Sequence, residues 1–235
     1  MTKRVAIVQS NYIPWKGYFD LIAAVDEFIL YDDRQYTRRD WRNRNLIKTA
    51  RGPAWMTIPV QVKGRYEQRI DETRVADGRW ADSHWKALRQ AYSRAAHFAD
   101  YEDVVRAAYG AVRSEPLLSR INRHLIELVC GLLGIRTKLS WSTDYEAAGA
   151  KTERLVDLCR QAGATTYLSG PAARAYLREE TFADAGIAVE WMDYGGYREY
   201  PQLFPPFEDR VTVLDLIFNV GPAAPQYMKE PPRGK

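Results

Sequence analysis

Residues 5–31 read VAIVQSNYIPWKGYFDLIAAVDEFILY, and this stretch decides the fold class. The apolar run at 5–9 predicts a strand, and a second apolar run at 28–31 predicts another. Pro14 between them suits the first turn of a helix, because the N–H that proline lacks has no partner there. Strand, helix and strand within about thirty residues is the size of a βαβ unit, which implies a parallel sheet with a right-handed crossover.

The rest of the chain extends this pattern on both sides of a helical middle. Further strands are predicted at 55–60, 137–141, 166–168 and 188–192, and helices at 80–98, 102–112, 117–133, 152–162, 172–177 and 212–219. The expected fold is therefore a three-layer α/β domain over residues 1–221, a Rossmann-like parallel sheet with a helical insertion at roughly 79–134. The proline-rich segment 222–235 is predicted to be a flexible tail.

Composition supports a single globular domain. The chain has 235 residues, 46% apolar and 27% charged, which excludes global disorder. No apolar run approaches the roughly 20 residues that span a bilayer, and the first residues do not predict a signal peptide. A cytoplasmic protein without a membrane partner is expected. Cys130 and Cys159 stand apart, so we expect two buried free thiols and no metal site.

Charge is concentrated in one segment. The net charge is only +4, but residues 34–51 contain seven basic side chains and a single acid, Asp40, with Tyr36 and Trp41 among them. Six of the seven are arginines, whose planar guanidinium suits bidentate contact with phosphate or carboxylate. This segment predicts an anionic partner.

Polar residues follow two of the predicted strands. In an open parallel sheet, ligands bind beyond the carboxyl ends of the strands, so two such junctions could face each other across a cleft. An ordinary polar connection and a simple capped helix are the alternatives. The candidate ligand-binding residues are Gln9, Asn11, Tyr12 and Lys16 at the first junction and Ser169, Gly170 and Arg174 at the second.

The basic segment supplies further candidates. Alternation along an extended backbone puts Arg42 and Arg44 on one face, where they could hold a diphosphate between them. Gln35, Asn43 and Lys48 are the other candidates for substrate binding in this region.

Motifs for the commonest enzyme classes are missing. The sequence contains no glycine-rich dinucleotide loop, no phosphate-binding loop and no Gly-x-Ser-x-Gly, which disfavours a dehydrogenase, a kinase and a serine hydrolase. His84 and Asp33 are the candidates for acid–base catalysis, although a surface histidine on a helix is common. Asp32 and Asp33 are adjacent and point in opposite directions on an extended chain, so only one should face the cleft.

Five segments carry a resemblance to a known family. Residues 9–19 (QSNYIPWKGYF), 31–36 (YDDRQY) and 41–48 (WRNRNLIK), with 167–170 (YLSG) and 214–221 (LDLIFNVG), resemble the WbqC-like protein family. That resemblance implies an association with bacterial O-antigen and other polysaccharide gene sets, and a glycine transferase that attaches an amino acid to an amino sugar. The architecture also resembles adenylyl-transferring α/β proteins, but Trp15-Lys16-Gly17-Tyr18 stands where those proteins have a two-histidine element.

Three functions follow as hypotheses. The first is a transferase that moves an aminoacyl, for example glycyl, or acyl group to the amine of a nucleotide-linked sugar or similar metabolite, with His84 or Asp33 taking the proton. The alternative is a nucleotidyltransferase or ATP-dependent carboxylate-activating ligase, in which Asp33 would help to bind magnesium. A second alternative is an RNA-binding protein in which Tyr36 and Trp41 stack on bases. The sequence leaves open the oligomeric state and whether the donor is free, carrier-bound or an aminoacyl-tRNA.

Overall fold

The computed structural model describes residues 2–230, and its strands form two sheets. In chain order the strands are β1 (Arg4–Val8), β2 (Glu27–Leu30), β3 (Arg44–Thr49), β4 (Gly52–Thr57), β5 (Lys138–Trp141), β6 (Thr166–Ser169) and β7 (Ala188–Trp191). The helices are α1 (Lys16–Ala23), α2 (Trp80–Tyr92), α3 (Phe98–Ala111), α4 (Leu118–Leu133), α5 (Lys151–Gln161), α6 (Glu179–Asp184) and α7 (Val213–Val220).

The main sheet has five strands in the order β5-β2-β1-β6-β7, and every neighbouring pair is parallel. Its central strand β1 pairs with β2 on one side, where Ile7 lies opposite Ile29, and with β6 on the other. The predicted α/β class and parallel sheet are confirmed. The chain adds β2 and β5 on one side of β1, and then β6 and β7 on the other. The strand order therefore reverses at β1, which makes this strand the topological switch point.

Both faces of the sheet are covered because its central strands are apolar on both sides. Ala6 and Phe28 pack into the larger core cluster with α1 and the middle helices, whereas Val5, Ile7 and Ile29 pack into a second cluster with α5 and α6. Alternating residues of one strand thus enter different cores, as the pleat requires. The result is three layers.

The helical middle consists of α2, α3 and α4. Leu118, Ile121 and Leu125 are buried along one stripe of α4, and Gly134 ends that helix in the left-handed conformation with φ 72°. The first helix of this region, predicted at 80–98, is shorter than expected. It ends at Tyr92, and Phe98 begins the next helix, because a turn at residues 93–97 separates them.

The end of the basic segment forms β3, which pairs with β4 in a separate antiparallel hairpin outside the main sheet. Sequence analysis placed one strand here, at 55–60. The structure places that strand at Gly52–Thr57 and adds β3, whose polar composition hides its strand character. Gly52, with φ 103°, makes the tight return between the two strands.

The segment after Gly221 is ordered as far as residue 230, which differs from the flexible tail expected from 222. Gly221–Tyr227 forms a 3₁₀ helix in which Ala224 is buried. Asp20 of α1 then accepts the backbone N–H groups of Lys229 and Glu230, both at 3.0 Å. Proline-rich composition did not predict this docking, because the partner groups lie about 200 residues earlier. Residues 231–235 lie outside the described part.

Other expectations concern cysteines, metals and membranes. Cys130 and Cys159 are buried and free. Within residues 2–230, no group of three or more potential metal-ligating side chains comes together. In the same range, no helix combines the length and apolarity that a membrane crossing needs.

Candidate ligand-binding cleft

A cleft of about 820 Å³ opens beyond the carboxyl ends of β1, β2 and β6. Its lining includes Val8 and Gln9 after β1, Tyr31 after β2, and Ser169 and Gly170 after β6. This is the switch point of the sheet, where open α/β folds bind ligands. We call it the switch cleft. The two junctions singled out from the sequence do meet here.

Arg42 is the central cation of the switch cleft. Its guanidinium donates hydrogen bonds to Gln9 Oε1 and Asn11 Oδ1, and Asp40 Oδ2 lies 3.6 Å away. The side chain is 14% exposed, and no carboxylate forms a hydrogen bond with it. Arg42 reaches the cleft from the turn before β3. Two neutral amides thus orient an arginine that pairs with Asp40 at 3.6 Å but forms no hydrogen bond with a carboxylate, so its guanidinium can still bind an anion.

Two further cations and six aromatic rings also line the switch cleft. Arg34 lies at the cleft edge, and Lys151 is exposed at the start of α5, where no side chain caps the first turn. The partial positive charge at a helix N-terminus favours an anion. The rings are those of Trp15, Tyr18, Tyr31, Tyr167, Tyr176 and Tyr194. Gln35 also lines the cleft and donates to the carbonyl of Tyr66 at 3.1 Å. Among the described residues of the lining, none is a carboxylate, an imidazole or a thiol.

Asp33 is engaged by cations and does not line the switch cleft. Its Oδ2 accepts from Arg34 at 2.8 Å and from Arg154 at 2.6 Å, and its Oδ1 accepts from Ser142 Oγ at 2.7 Å. Burial alone would raise the pKa of Asp33, but the hydrogen bonds from Arg34 and Ser142 and the two positive charges hold it below its ordinary value. A carboxylate held this way is a poor proton acceptor. Its contacts suit the positioning of Arg34.

His84 lies in the core of the helical middle. Its Nδ1 is 2.7 Å from the Tyr12 hydroxyl, which contacts Tyr109 Oη at 2.6 Å, and its Nε2 lies 3.2 Å from the carbonyl oxygen of Thr57. Burial lowers the pKa of His84 to about 4. A neutral imidazole donates from Nε2 and accepts at Nδ1, which satisfies both nitrogens. These contacts disfavour His84 as a catalytic base and place Tyr12 in a structural network.

Lys16 and Lys48 turn away from the switch cleft. The Lys16 ammonium is buried beneath the rings of Tyr197 and Tyr200, at 4.7 and 5.1 Å from their centres, and donates to the carbonyl of Arg198. Lys48 donates to the carbonyl of Pro206. Both lysines therefore hold the loop between β7 and α7. Contacts between segments so far apart in the chain cannot be predicted from strand and helix patterns.

The predicted pair of Arg42 and Arg44 is not assembled at one place. The Arg44 guanidinium lies 4.1 Å above the Trp55 ring and donates to the carbonyl of Arg39 on the hairpin surface. Arg42 precedes the first residue of β3, so the alternation of an extended strand does not apply to it. Asn43 is buried and donates to the carbonyl of Ile58.

Arg174 also lies outside the lining. It stacks on the ring of Trp191 at 5.1 Å, on the exposed side of the short 3₁₀ helix that follows Gly170. Gly170 itself faces Tyr194 in the cleft. Ser169 is buried there at the end of β6.

Asp32 is a functional candidate that sequence analysis did not select. Ser10 donates its N–H to Asp32 Oδ1 at 2.7 Å, while Oδ2 is buried without a partner. Burial raises the pKa of Asp32 to about 6, against the opposing effects of Ser10 and Arg42. Asn122 joins this group by donating to Ser10 Oγ and to the Arg42 carbonyl. A buried acid with a raised pKa thus lies behind the cleft arginine. Nothing in the sequence distinguished it from Asp33.

Comparison with known proteins identifies the family of the chain. The profile of the WbqC-like protein family matches residues 9–227. The chain belongs to this family. It is also 57% identical over 227 residues to the uncharacterized protein Rv1507c of Mycobacterium tuberculosis (strain ATCC 25618 / H37Rv), covering 97% of this chain and 98% of that protein. No solved structure matches the chain significantly. The matched range of this WbqC-like chain includes the cleft residues from Gln9 to Tyr194.

Proposed function

We propose that the protein binds an anionic nucleotide-linked amino sugar, or a similar small metabolite, in the switch cleft and transfers an acyl or aminoacyl group to its amine. The observation that carries the proposal is Arg42, an arginine held by Gln9 and Asn11 without a hydrogen-bonded carboxylate at the switch point of a parallel sheet. Arg34 and Lys151 add positive charge on the cleft walls. Such a site suits a phosphate or diphosphate.

Size and wall chemistry favour a nucleotide-like ligand. Ligand clefts for small molecules and cofactors typically enclose about 300–1,000 Å³, and the switch cleft has about 820 Å³. Trp15, Tyr31 and Tyr194 offer aromatic faces on which a base or sugar ring can pack. Charged groups would bind the phosphates while the aromatic walls bind the remainder.

The transfer itself has a simple balance. The amine nitrogen forms a bond with the carbonyl carbon of an activated donor, the bond to the leaving group breaks, and the amine proton passes to that leaving group. Since no carboxylate or imidazole belongs to the described lining, positioning of the two reactants would supply most of the acceleration. Cations near the reacting carbonyl would stabilise the developing negative charge. An activated donor is therefore part of the proposal.

Isothermal titration calorimetry with nucleotide sugars tests this function. The panel contains amino sugars, their hydroxyl counterparts, and ATP with magnesium, which measures the adenylyl-transferring alternative. Arg42→Ala should weaken binding of the best ligand at least tenfold, since it removes a charge-assisted contact worth about 1.5–3 kcal/mol. Arg44→Ala is the matched control and should change affinity less than twofold, because its guanidinium stacks on Trp55. No binding by any member, or equal binding by Arg42→Ala, would overturn the proposal.

A further inference from the structure

Two tryptophans lie exposed side by side on the hairpin face. Trp41 is 41% exposed and Trp55 is 49% exposed, and their ring centres are 5.4 Å apart. The Arg44 guanidinium packs 4.1 Å above Trp55. Large rings exposed together are uncommon on a protein surface and mark sites of interaction. We call Trp41 and Trp55 the tryptophan pair.

Two hollows flank the tryptophan pair, and both carry arginines. The first, of about 560 Å³, is lined by Trp55 together with Arg51 and Arg94. The second, of about 280 Å³, is lined by Trp41, Trp15, Tyr194, Arg210 and a single acid, Asp209. The aromatic pair is therefore surrounded by an excess of positive charge.

The second hollow joins the tryptophan pair to the switch cleft. Trp15 and Tyr194 line both this hollow and the switch cleft, so aromatic surface is continuous between them. We call the whole band, from Arg94 and Arg51 through the tryptophan pair to Trp15, the aromatic track. It is a surface path with stackable rings and guanidinium groups, and it ends at the cleft.

We propose that the aromatic track binds a single-stranded nucleic acid, with unpaired bases stacked on Trp41 and Trp55 and phosphates on Arg44, Arg51 and Arg94. Exposed indoles beside arginines are what binding of unpaired bases requires, whereas a duplex hides its base faces. The positive charge of the track complements a phosphate backbone. Tyr36, expected from the sequence to stack on bases, is buried and takes no part, and Trp55 replaces it.

Nucleic-acid binding goes beyond the proposed small-ligand function and does not depend on it. A strand stacked on Trp41 would have its end beside the switch cleft, because Trp41 and the cleft share the hollow walls of Trp15 and Tyr194. If the end of the bound strand carried an acyl group into the switch cleft, that step would rest on the proposed function. Binding along the track does not.

Fluorescence anisotropy with labelled oligonucleotides of about twelve nucleotides tests the track. RNA and DNA single strands are compared with the corresponding duplexes on the full chain. Trp41→Ala and Trp55→Ala should each weaken single-strand binding at least fivefold. Trp55→Phe should retain most of the wild-type affinity, because it keeps an aromatic face. Arg51→Ala should lower both affinity and its salt dependence. Stronger binding of RNA than DNA would identify the natural ligand as RNA, and the reverse would identify DNA.

Matched controls separate the track from general attraction. Tyr66→Ala removes a ring that is more exposed, at 80%, and lies outside both hollows, and Arg106→Ala removes a cation on α3. Both should bind like the wild-type chain. Unchanged binding in both tryptophan variants, equal losses in the controls, or preference for duplex would overturn the inference. Arg42→Ala should weaken nucleotide-sugar binding at least tenfold while leaving oligonucleotide binding within twofold, so the two proposals fail separately.

Discussion

Asp32 is the residue whose environment departs furthest from what its neighbours in sequence suggest. It and Asp33 are adjacent and both are buried, yet Asp33 meets two arginines while Asp32 has a carboxylate oxygen without a partner. The pKa of Asp33 is held below its ordinary value, and that of Asp32 is raised to about 6. The opposite shifts follow from the different partners of the two carboxylates, since cations and Ser142 stabilise the charged form of Asp33 whereas burial dominates at Asp32.

This difference predicts how the stability of the protein changes with pH. Burial raises the pKa of Asp32 from 3.8 to about 6, so the folded state binds the proton more tightly than the unfolded chain. The contribution of Asp32 is therefore most favourable below about pH 4 and is lost as the pH rises through about 6. Asp32→Asn keeps the acceptor for Ser10 but does not titrate. Relative to the wild type, its free energy of unfolding should be higher at pH 7.5 than at pH 4 by about 2–3 kcal/mol.

Urea denaturation at several pH values measures this difference. Asp184→Asn, an exposed change at the end of α6, is the control for the loss of one carboxylate. A pH-independent difference for Asp32→Asn would mean that the buried carboxylate keeps its ordinary pKa.

At the scale of elements, α1 positions the cleft through Trp15 and Gly17. A β-carbon placed on Gly17 would lie 2.6 Å from Cη2 of Trp15, so the indole rests directly on the glycine. Trp15 lines the switch cleft and also contacts Tyr194 and Tyr197, with ring centres 5.4 and 5.6 Å away. The glycine in Trp15-Lys16-Gly17-Tyr18 thus makes room for a cleft wall.

Gly17→Ala should displace Trp15 and damage the cleft. Alanine normally stabilises a helix interior by about 0.5–1 kcal/mol over glycine, but the contact with the indole should reverse the sign and cost about 1–3 kcal/mol. Affinity for the cleft ligand should fall several-fold in calorimetry. Gly131→Ala in α4 is the matched control, because nothing lies within 4 Å of its added carbon. It should raise the melting temperature without changing affinity. Unaltered binding in Gly17→Ala would show that the indole position is unimportant.

The β3–β4 hairpin is the element that sequence analysis predicted least accurately. Sequence analysis expected an extended backbone through both Arg42 and Arg44, but the strand begins at Arg44, two residues after Arg42. Alternation is a property of regular strands and does not carry into the preceding turn. The two arginines consequently serve different surfaces, Arg42 in the switch cleft and Arg44 beside Trp55.

For the whole molecule, the C-terminal part closes over α1. Asp20 accepts from the backbone of Lys229 and Glu230 and from the Tyr197 hydroxyl, and Tyr227 packs edge-on against Tyr200. Lys16 and Lys48 hold the preceding loop from beneath. These contacts tie the two ends of the described chain into one body.

Asp20→Ala should loosen this closure. The substitution leaves three donors without their acceptor, which should cost about 2 kcal/mol or more in the free energy of unfolding. Hydrogen exchange at residues 221–230 should become faster, measured by mass spectrometry, since the segment can then separate locally from α1. Asp184→Ala, on the exposed end of α6, should change neither quantity. Unchanged exchange at 221–230 would show that the docked segment does not depend on Asp20.

The sequence by itself determined the strands of the parallel sheet and their order along the chain. Apolar periodicity located the five parallel strands within a few residues, and the end of α4 at Gly134 followed from capping. The strand-end rule also brought Gln9, Ser169 and Gly170 to one cleft. These features depend on local patterns and on a general rule of topology, so one chain contains enough information to predict them.

Only the tertiary structure decided which polar side chains face the cleft. His84 enters the core because Tyr12 and Thr57 satisfy its nitrogens, and Lys16 enters an aromatic cage because loop residues far along the chain provide it. A buried charge or imidazole is tolerated only where such partners exist. Those partners come from distant segments, and no local pattern records their positions. The fold class can therefore be predicted from the sequence, whereas only the tertiary structure shows whether each polar residue lies in the core, in the cleft or on the surface.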